Sequence, residues 1–356
     1  MIWLVGLLAS GLAMLARLAG LFAGWDARLL KGPGEFPLWV ELVCAVLFAF
    51  GTAMVASQVT APKFRAGLIA AILLQPASAM AVGALAGVRV SPFTWLVAIL
   101  TALGGVAAYR FSSAGKRAGL VRDVFGKHLS TEALARLLGQ SDAMESRATK
   151  ATILSARYLG ADWAVVEDVA HRLREQSAWV EVQTGNRLLA VWNLPLTVDS
   201  PAAGAVEASL DLGDDWQRGV ATGEVRGELT SGAEQWQMRG LAFEKSDALC
   251  QANNTFGSRV LLDLATADLV RDSIILRPVD FLVLPASEMA TEVFEPLAMA
   301  TEATPEAVAR RDRFWEAVIF FRQKRFAEAL AAFDKSGKDP VVQYYQKRLE
   351  KLTSSH

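Results

Sequence analysis

Chemistry in this 356-residue chain has few side chains to draw on. The histidines are His128, His171 and His356, and the cysteines are Cys44 and Cys250. They are dispersed, so no His or Cys cluster has zinc-ligand spacing and no disulfide framework can be built. Neither a phosphate-binding loop of the G-x-x-x-x-G-K-[ST] type nor a G-x-G-x-x-G run occurs. A net charge of −1 and a pI near 6.4 leave no electrostatic footprint for nucleic acid. What stands out is a polar turn, Gln183, Thr184, Gly185, Asn186 and Arg187, set between the apolar runs "WVEVQ" and "LLAVW". Gly and Asn tolerate the left-handed backbone of a tight hairpin, so the turn reads either as a plain hairpin or as the remains of an active site.

The elements that must position this turn are legible in the apolar spacing. "TILSA" (152–156) reads as a buried strand, Trp163, Val166, Val169, Ala170 and Leu173 form one helical stripe, and the quoted runs make the hairpin. There follow "GVATGEV" (219–225), a strand around 236–238, a helix from about Phe243, "SRVLLD" with the short helix "LATADLVRD", and a last strand pair near 275–284. Strand, helix, hairpin, helix, strand is a ferredoxin-like α+β arrangement, with helices on one face of the sheet. Upstream, Leu120, Val124, Leu134, Leu137 and Leu138 recur at helical spacing, and Ser130 is placed to cap a helix ending before Gly139. That stretch reads equally as a spacer and as a helix that transmits movement.

Composition adds a second region. A hydrophobic content of 53% and a mean hydropathy of +0.28 exceed those of ordinary soluble domains. The excess lies in 2–23, 39–59, 66–86 and 93–109, each long enough to read as a transmembrane helix. Lys63 and Arg65, with Arg110, Lys116, Arg117 and Arg122, place their flanks in the cytoplasm. The expectation is an α-helical transmembrane region plus an α+β domain: a four-helix membrane domain at 1–111, a connecting helical segment at 112–140, the α+β domain at 141–300 and a C-terminal helical appendix at 301–356. It implies a multi-pass inner-membrane protein with the lipid bilayer as a partner and its α+β domain cytoplasmic.

In that order, the segments resemble the class III adenylate and guanylate cyclase catalytic domain. "VRDVFGKHLSTEALARLL" resembles its lead-in, "GNRLLAVWNLP" its metal-bearing hairpin, "GVATGEV" the strand that follows, and "FGSRVLLDLATADLVRDSIILRPVDFLVL" its C-terminal signature. "FWEAVIFFRQKRFAEALAAFDKSGKDPVVQYYQKRLEKL" resembles the helical appendix of many bacterial members. The similarity covers about 112–350. It implies conversion of a nucleoside triphosphate to a cyclic nucleotide, with two Mg²⁺ or Mn²⁺ ions held by two Asp residues. Arg157 stands in place of the first Asp and Asn186 in place of the second. The ribose- and phosphate-orienting Asn and Arg fall at Glu244 and Ala248, and the purine-contacting pair at Val182 and Gln237. None of the six keeps the family's residue.

The sequence therefore predicts a pseudocyclase, with no metal and no cofactor, that forms a homodimer or heterodimer through the cyclase-like domain and acts in signalling or assembly. The alternative is an active adenylate cyclase whose Mg²⁺ or Mn²⁺ site is rebuilt from other carboxylates such as Asp162, Glu181 or Asp247. A third reading makes the spans the working part, within a larger membrane complex. For Arg157 an ion pair with Asp162 or Glu244 is favoured over a phosphate contact, which needs several converging donors. Trp179, Trp192 and Trp236 read as packing, and Phe314, Phe320, Phe321, Phe326, Phe333, Tyr344 and Tyr345 as the core of the helical appendix.

Overall fold

The computed structural model describes residues 2–21, 34–35, 37–58, 81, 85, 88–89, 92–140, 145–230, 235–337 and 339–354. The chain divides into two compact units, 1–119 and 120–356.

In the first unit, helices α1 (Ile2–Leu18), α2 (Leu38–Gln58) and α3 (Pro92–Phe111) pack through a seam of small residues. Ala9 and Ala13, Ala45, Ala49 and Ala53, and Ala98 and Ala102 are buried there, with Phe48 tilted against Trp95 at 5.3 Å. Small side chains let the helix axes approach closely, and Gly6 against Phe50 leaves no room for a Cβ. Arg17 Nε donates to Glu41 Oε2 at 3.1 Å, and Glu41 is 1% exposed.

Among the described residues no helix is long and apolar enough to cross a membrane. This overturns the expected four-helix transmembrane region, and with it the multi-pass inner-membrane placement and the bilayer as partner. Charge shortens each stretch: α1 meets Arg17, α2 carries Glu41 in its first turn, and α3 reaches Arg110. The uncharged runs between are roughly 15 to 18 residues, about 22–27 Å at about 1.5 Å per residue, against about 30 Å of hydrocarbon. The expected span at 66–86 lies outside the described residues, apart from positions 81 and 85.

The second unit is built on one eight-stranded sheet. After α4 (Ser113–Phe125) and α5 (Thr131–Gly139) come β1 (Arg147–Tyr158), α6 (Trp163–Glu175), β2 (Trp179–Gln183), β3 (Arg187–Trp192) and α7 (Pro201–Leu210). There follow β4 (Trp216–Thr230), β5 (Gln235–Arg239), α8 (Leu241–Phe256), β6 (Val260–Leu262), α9 (Leu264–Val270), β7 (Ile274–Leu282) and β8 (Thr291–Met299). Helices α10 (Pro305–Arg322), α11 (Phe326–Lys335) and α12 (Pro340–Ser354) close the chain. The hydrogen-bonded order is β2-β3-β1-β4-β6-β8-β7, with β5 paired to β4.

Alternation along β1 sends Leu154 and Ala156 to one face and Ala151 and Ile153 to the other. The first face packs on α6, α7 and α9 through Val166, Val169, Ala205 and Ala267. The second meets α4, α5 and α8, through Val121, Phe125, Ala133, Leu137 and Ala242. Helices thus cover both faces, where the sequence reading put them on one. The stretch before β1 is part of the domain core, with Ser130 capping α5 by accepting from Ala133 N at 3.2 Å. The last strand pair expected near 275–284 is a single strand there, β7, and its partner β8 lies further on, at Thr291–Met299. Pro296 breaks its pattern, and the ladder carries register shifts at Val293/Phe294 and Pro296/Ala298.

Buried polar groups tie these layers together. Arg218, 3% exposed, donates to the carbonyls of Ser209 (2.7 Å) and Leu212, so it holds the end of α7. Burial pulls its pKa down to about 10. Arg277 binds Glu295 on β8 (Nη2, 2.6 Å) and Asp339 before α12 (Nη1, 2.7 Å), and its guanidinium lies 4.7 Å from the Phe314 ring centroid. Tyr345 donates to Val279 O at 2.5 Å, so the C-terminal helices are pinned to the sheet. Removing one partner of a buried ion pair strands the other charge. Arg277→Ala is therefore expected to cost about 3–5 kcal/mol, and Arg277→Lys less. Urea unfolding checks this, and an unchanged midpoint for Arg277→Ala would contradict it.

Candidate functional site

The register of β1 decides what the hairpin can present. Arg157, exposed near the end of β1, lies opposite Arg187 on β3 and Gln217 on β4. Directly opposed residues of an antiparallel pair share a face, so two guanidiniums stand side by side. Like charges so placed are destabilising unless something offsets them. Asp247 on α8 does so for one: it forms an ion pair with Arg187 and accepts from Gln251 Nε2 at 2.8 Å. Sixty residues separate Arg187 from Asp247.

The turn after β2 bends through left-handed residues, Gly185 at φ +75 and Asn186 at φ +58. Asn186 then closes the end of β1 twice. Its carbonyl accepts from Tyr158 N at 2.9 Å, and its Nδ2 donates to Gly160 O at 2.7 Å. The second bond requires an amide, because a carboxylate there would put two acceptors face to face.

Helix α8 lies directly on β4. A Cβ on Gly219 would fall 2.1 Å from Ser246 O and 2.3 Å from Cys250 N, so only glycine permits this approach. On α8, Glu244 is exposed in the first turn, and Ala248, one turn on, packs partly buried against the core shared with the C-terminal helices. Cys250 is buried and donates to Gln217 O at 3.3 Å. Burial pushes its thiol up to about 11 against the nearby Arg187, Ser155 and Arg157, so it is protonated at neutral pH and is no nucleophile.

The two positions expected at a purine do not converge within the chain. Val182 on β2 is linked in register through Leu188 and Ala156 to Arg218 on β4, whereas Gln237 on β5 pairs with Glu228. Ten residues of β4 separate these levels, about 33 Å at about 3.3 Å per residue. The three spare carboxylates are also apart. Asp162 caps α6 by accepting from Ala164 N at 2.9 Å, Glu181 sits on β2, and Asp247 is engaged with Arg187. Among the described residues no three His, Cys, Asp or Glu side chains gather as a metal-ion set.

The structure thus brings Arg157, Asn186, Arg187, Asp247 and Cys250 to one end of the sheet. The sequence reading placed Arg187 in the polar turn and Cys250 among dispersed cysteines without assigning either to the site; the apolar strand pattern that fixes the β1–β3 register was the signal for Arg187, and nothing local marked Cys250. Asn186→Asp is expected to cost about 1–3 kcal/mol by turning the Gly160 bond into a repulsion between acceptors. Thermal unfolding reads it; an unchanged or raised melting temperature would contradict the assigned role.

No family model matches the chain, and no curated protein matches it. The solved structures it is similar to are adenylyl and guanylyl cyclase domains. The adenylyl cyclase CyaB from P. aeruginosa is 11% identical, with 45% of this chain and 100% of that chain covered and a TM-score of 0.38. A bacterial light-regulated adenylyl cyclase is 10% identical over 52% of this chain and 63% of that one, at a TM-score of 0.40. A dimeric guanylyl cyclase domain of the RhoGC fusion protein from Blastocladiella emersonii is 14% identical over 43% and 99%, at 0.32.

Proposed function

We propose that residues 141–300 form a cyclase-like domain without turnover, which acts as a dimerising signalling or assembly module. The observation that carries this reading is the guanidinium of Arg157, at the position where the cyclase resemblance calls for the first carboxylate. A second guanidinium, Arg187, stands directly opposite it on β3 and next to Asn186, where the resemblance calls for the other carboxylate. A divalent ion about 4 Å from one guanidinium is repelled by roughly 8 kcal/mol at an effective dielectric near 20. Asn186 adds a neutral amide whose N–H is already donated to Gly160. Mg²⁺ takes carboxylate, phosphate and water oxygens, and this donor set does not fit it.

The phosphate side fits no better on this reading. Glu244 would face a triphosphate with like charge, and Ala248 offers no donor. The rebuilt-site alternative draws no support from Asp162, Glu181 or Asp247, which sit on separate elements, two of them engaged in other bonds. Packing and pairing need the fold, while turnover needs a few polar groups; loss of the second with retention of the first is what a binding role leaves. Pairing through this domain, with itself or with a relative, is the expected partnership.

The test is a cyclic-nucleotide assay on the full chain with ATP or GTP and Mn²⁺ or Mg²⁺, alongside sedimentation of the same sample. The reading expects no cyclic nucleotide above a protein-free blank, and a dimer. Turnover abolished by Arg157→Ala or Glu244→Ala would overturn the first part. A monomer at every concentration would overturn the second.

A further inference from the structure

On the second face of the sheet, the row formed by Trp179, Val191 and Ile153 packs in one core with Phe125, Leu129 and Leu137 from the segment before β1. The next two rows on that face run across β2, β3 and β1 as Glu181, Leu189 and Ser155, then Gln183, Arg187 and Arg157. Directly opposed residues share a face, and so do residues two apart on a strand, so all six point the same way. Ser155 is buried under α8, but Glu181, Gln183, Leu189 and Arg187 are half-buried and Arg157 is exposed. The ends of these strands thus present an open shelf. It carries both signs of charge. Arg187 is matched within the chain by Asp247. Arg157 and Glu181 form no ion pair among the described residues. The register keeps them from each other: two strand spacings of about 4.8 Å and two residues of about 3.3 Å put them about 12 Å apart on the diagonal.

We propose that a second copy of the chain docks on this shelf, with Arg157 of each copy set against the partner's Glu181. Charge complementarity under two-fold symmetry selects that occupant. A two-fold axis lying between two opposed shelves, over β3 midway between Arg187 and Leu189, exchanges the positions of Arg157 and Glu181. One operation therefore makes two ion pairs that a single chain cannot make. Leu189, close to the axis, meets its own copy. Arg187, equally close, brings the charge of Asp247 with it. An anionic ligand on the shelf is opposed by Glu181 and a cationic one by Arg157, whereas a surface of mixed sign suits its own copy. Each charge taken alone reads as an ordinary solvated side chain. What sets these two apart is the exchange relation and the half-buried leucine at its centre.

The contact rests on the dimerising reading above and names the surface that carries it. Pairing then closes the end of β1, because Arg157 is held by a carboxylate of the partner at the position where the cyclase resemblance calls for a metal ligand.

Sedimentation of the full chain over a range of concentrations tests it, with the two charges reversed singly and together. Each single reversal sets like charges against one another twice, once on either side of the axis. Arg157→Glu and Glu181→Arg are each expected to weaken the dimer at least about tenfold, and the double reversal to restore it to within about threefold. Added salt is expected to weaken the unmutated dimer, because pairs near the surface are screened. Dimerisation unchanged by either reversal would overturn this contact while leaving dimerisation through another surface standing, and a monomer at every concentration would remove both. Loss in the single variants without recovery in the double one refutes the pairing. Leu189→Cys in a Cys44→Ser background gives a reading that needs no charge reversal: a short bismaleimide that links the copies at that position supports the contact, and none linked refutes it.

Discussion

Strand register is the constraint on which the site depends. Pairing Ile153 with Val191 and Leu154 with Ala190 buries apolar side chains on both faces of the sheet, and a slip of one residue would send each to the wrong face. The same ladder, carried three residues further, sets Arg157 opposite Arg187. The two charges are therefore adjacent because the core demands it. Their local relief comes from α8, whose Asp247 reaches Arg187. An ion pair this exposed contributes little to stability, about 0–1 kcal/mol, so its effect is electrostatic placement rather than adhesion.

That placement depends in turn on how α8 is seated. Gly219 lets the helix backbone lie on β4, and Asn253 fixes it there by donating to Arg218 O at 2.9 Å. A buried relay runs through the sheet on the α9 side: Thr152 to Thr222 at 2.9 Å, Thr222 to Thr266 at 2.8 Å, and Thr266 to Asp263 at 2.6 Å. Satisfied hydroxyl chains of this kind fix one arrangement, because breaking any link strands a buried polar group. The end of the sheet that carries the guanidiniums is thus built on a rigid scaffold.

Much of this was legible in the sequence, because period-two and period-3.6 apolar patterns survive translation into structure. The hairpin from Trp179 to Trp192, the stripe of Val166, Val169, Ala170 and Leu173, and the Ser130 cap all lie where the spacing puts them. What did not show has identifiable causes. Strand Thr291–Met299 hides behind Pro296 and the two glutamates Glu292 and Glu295, whose three-residue spacing breaks a period-two pattern. The bond from Asn186 to Gly160 and the pair of Arg187 with Asp247 join residues 26 and 60 positions apart, which no local pattern encodes. In the first third of the chain the apolar runs were read as lipid-facing spans, whereas Ala9, Ala13, Ala45, Ala49, Ala98 and Ala102 face one another in a helix seam. Small-residue spacing serves both purposes, so composition alone did not separate them.

The central claim is that the end of β1 and the β2–β3 hairpin repel a divalent cation. Paramagnetic broadening by Mn²⁺, read from the amide signals of Arg157, Asn186 and Arg187 with ATP present, tests it most directly. Broadening at these three residues no greater than at distant surface amides is the result the account predicts. Selective, saturable broadening there at micromolar Mn²⁺ would contradict it.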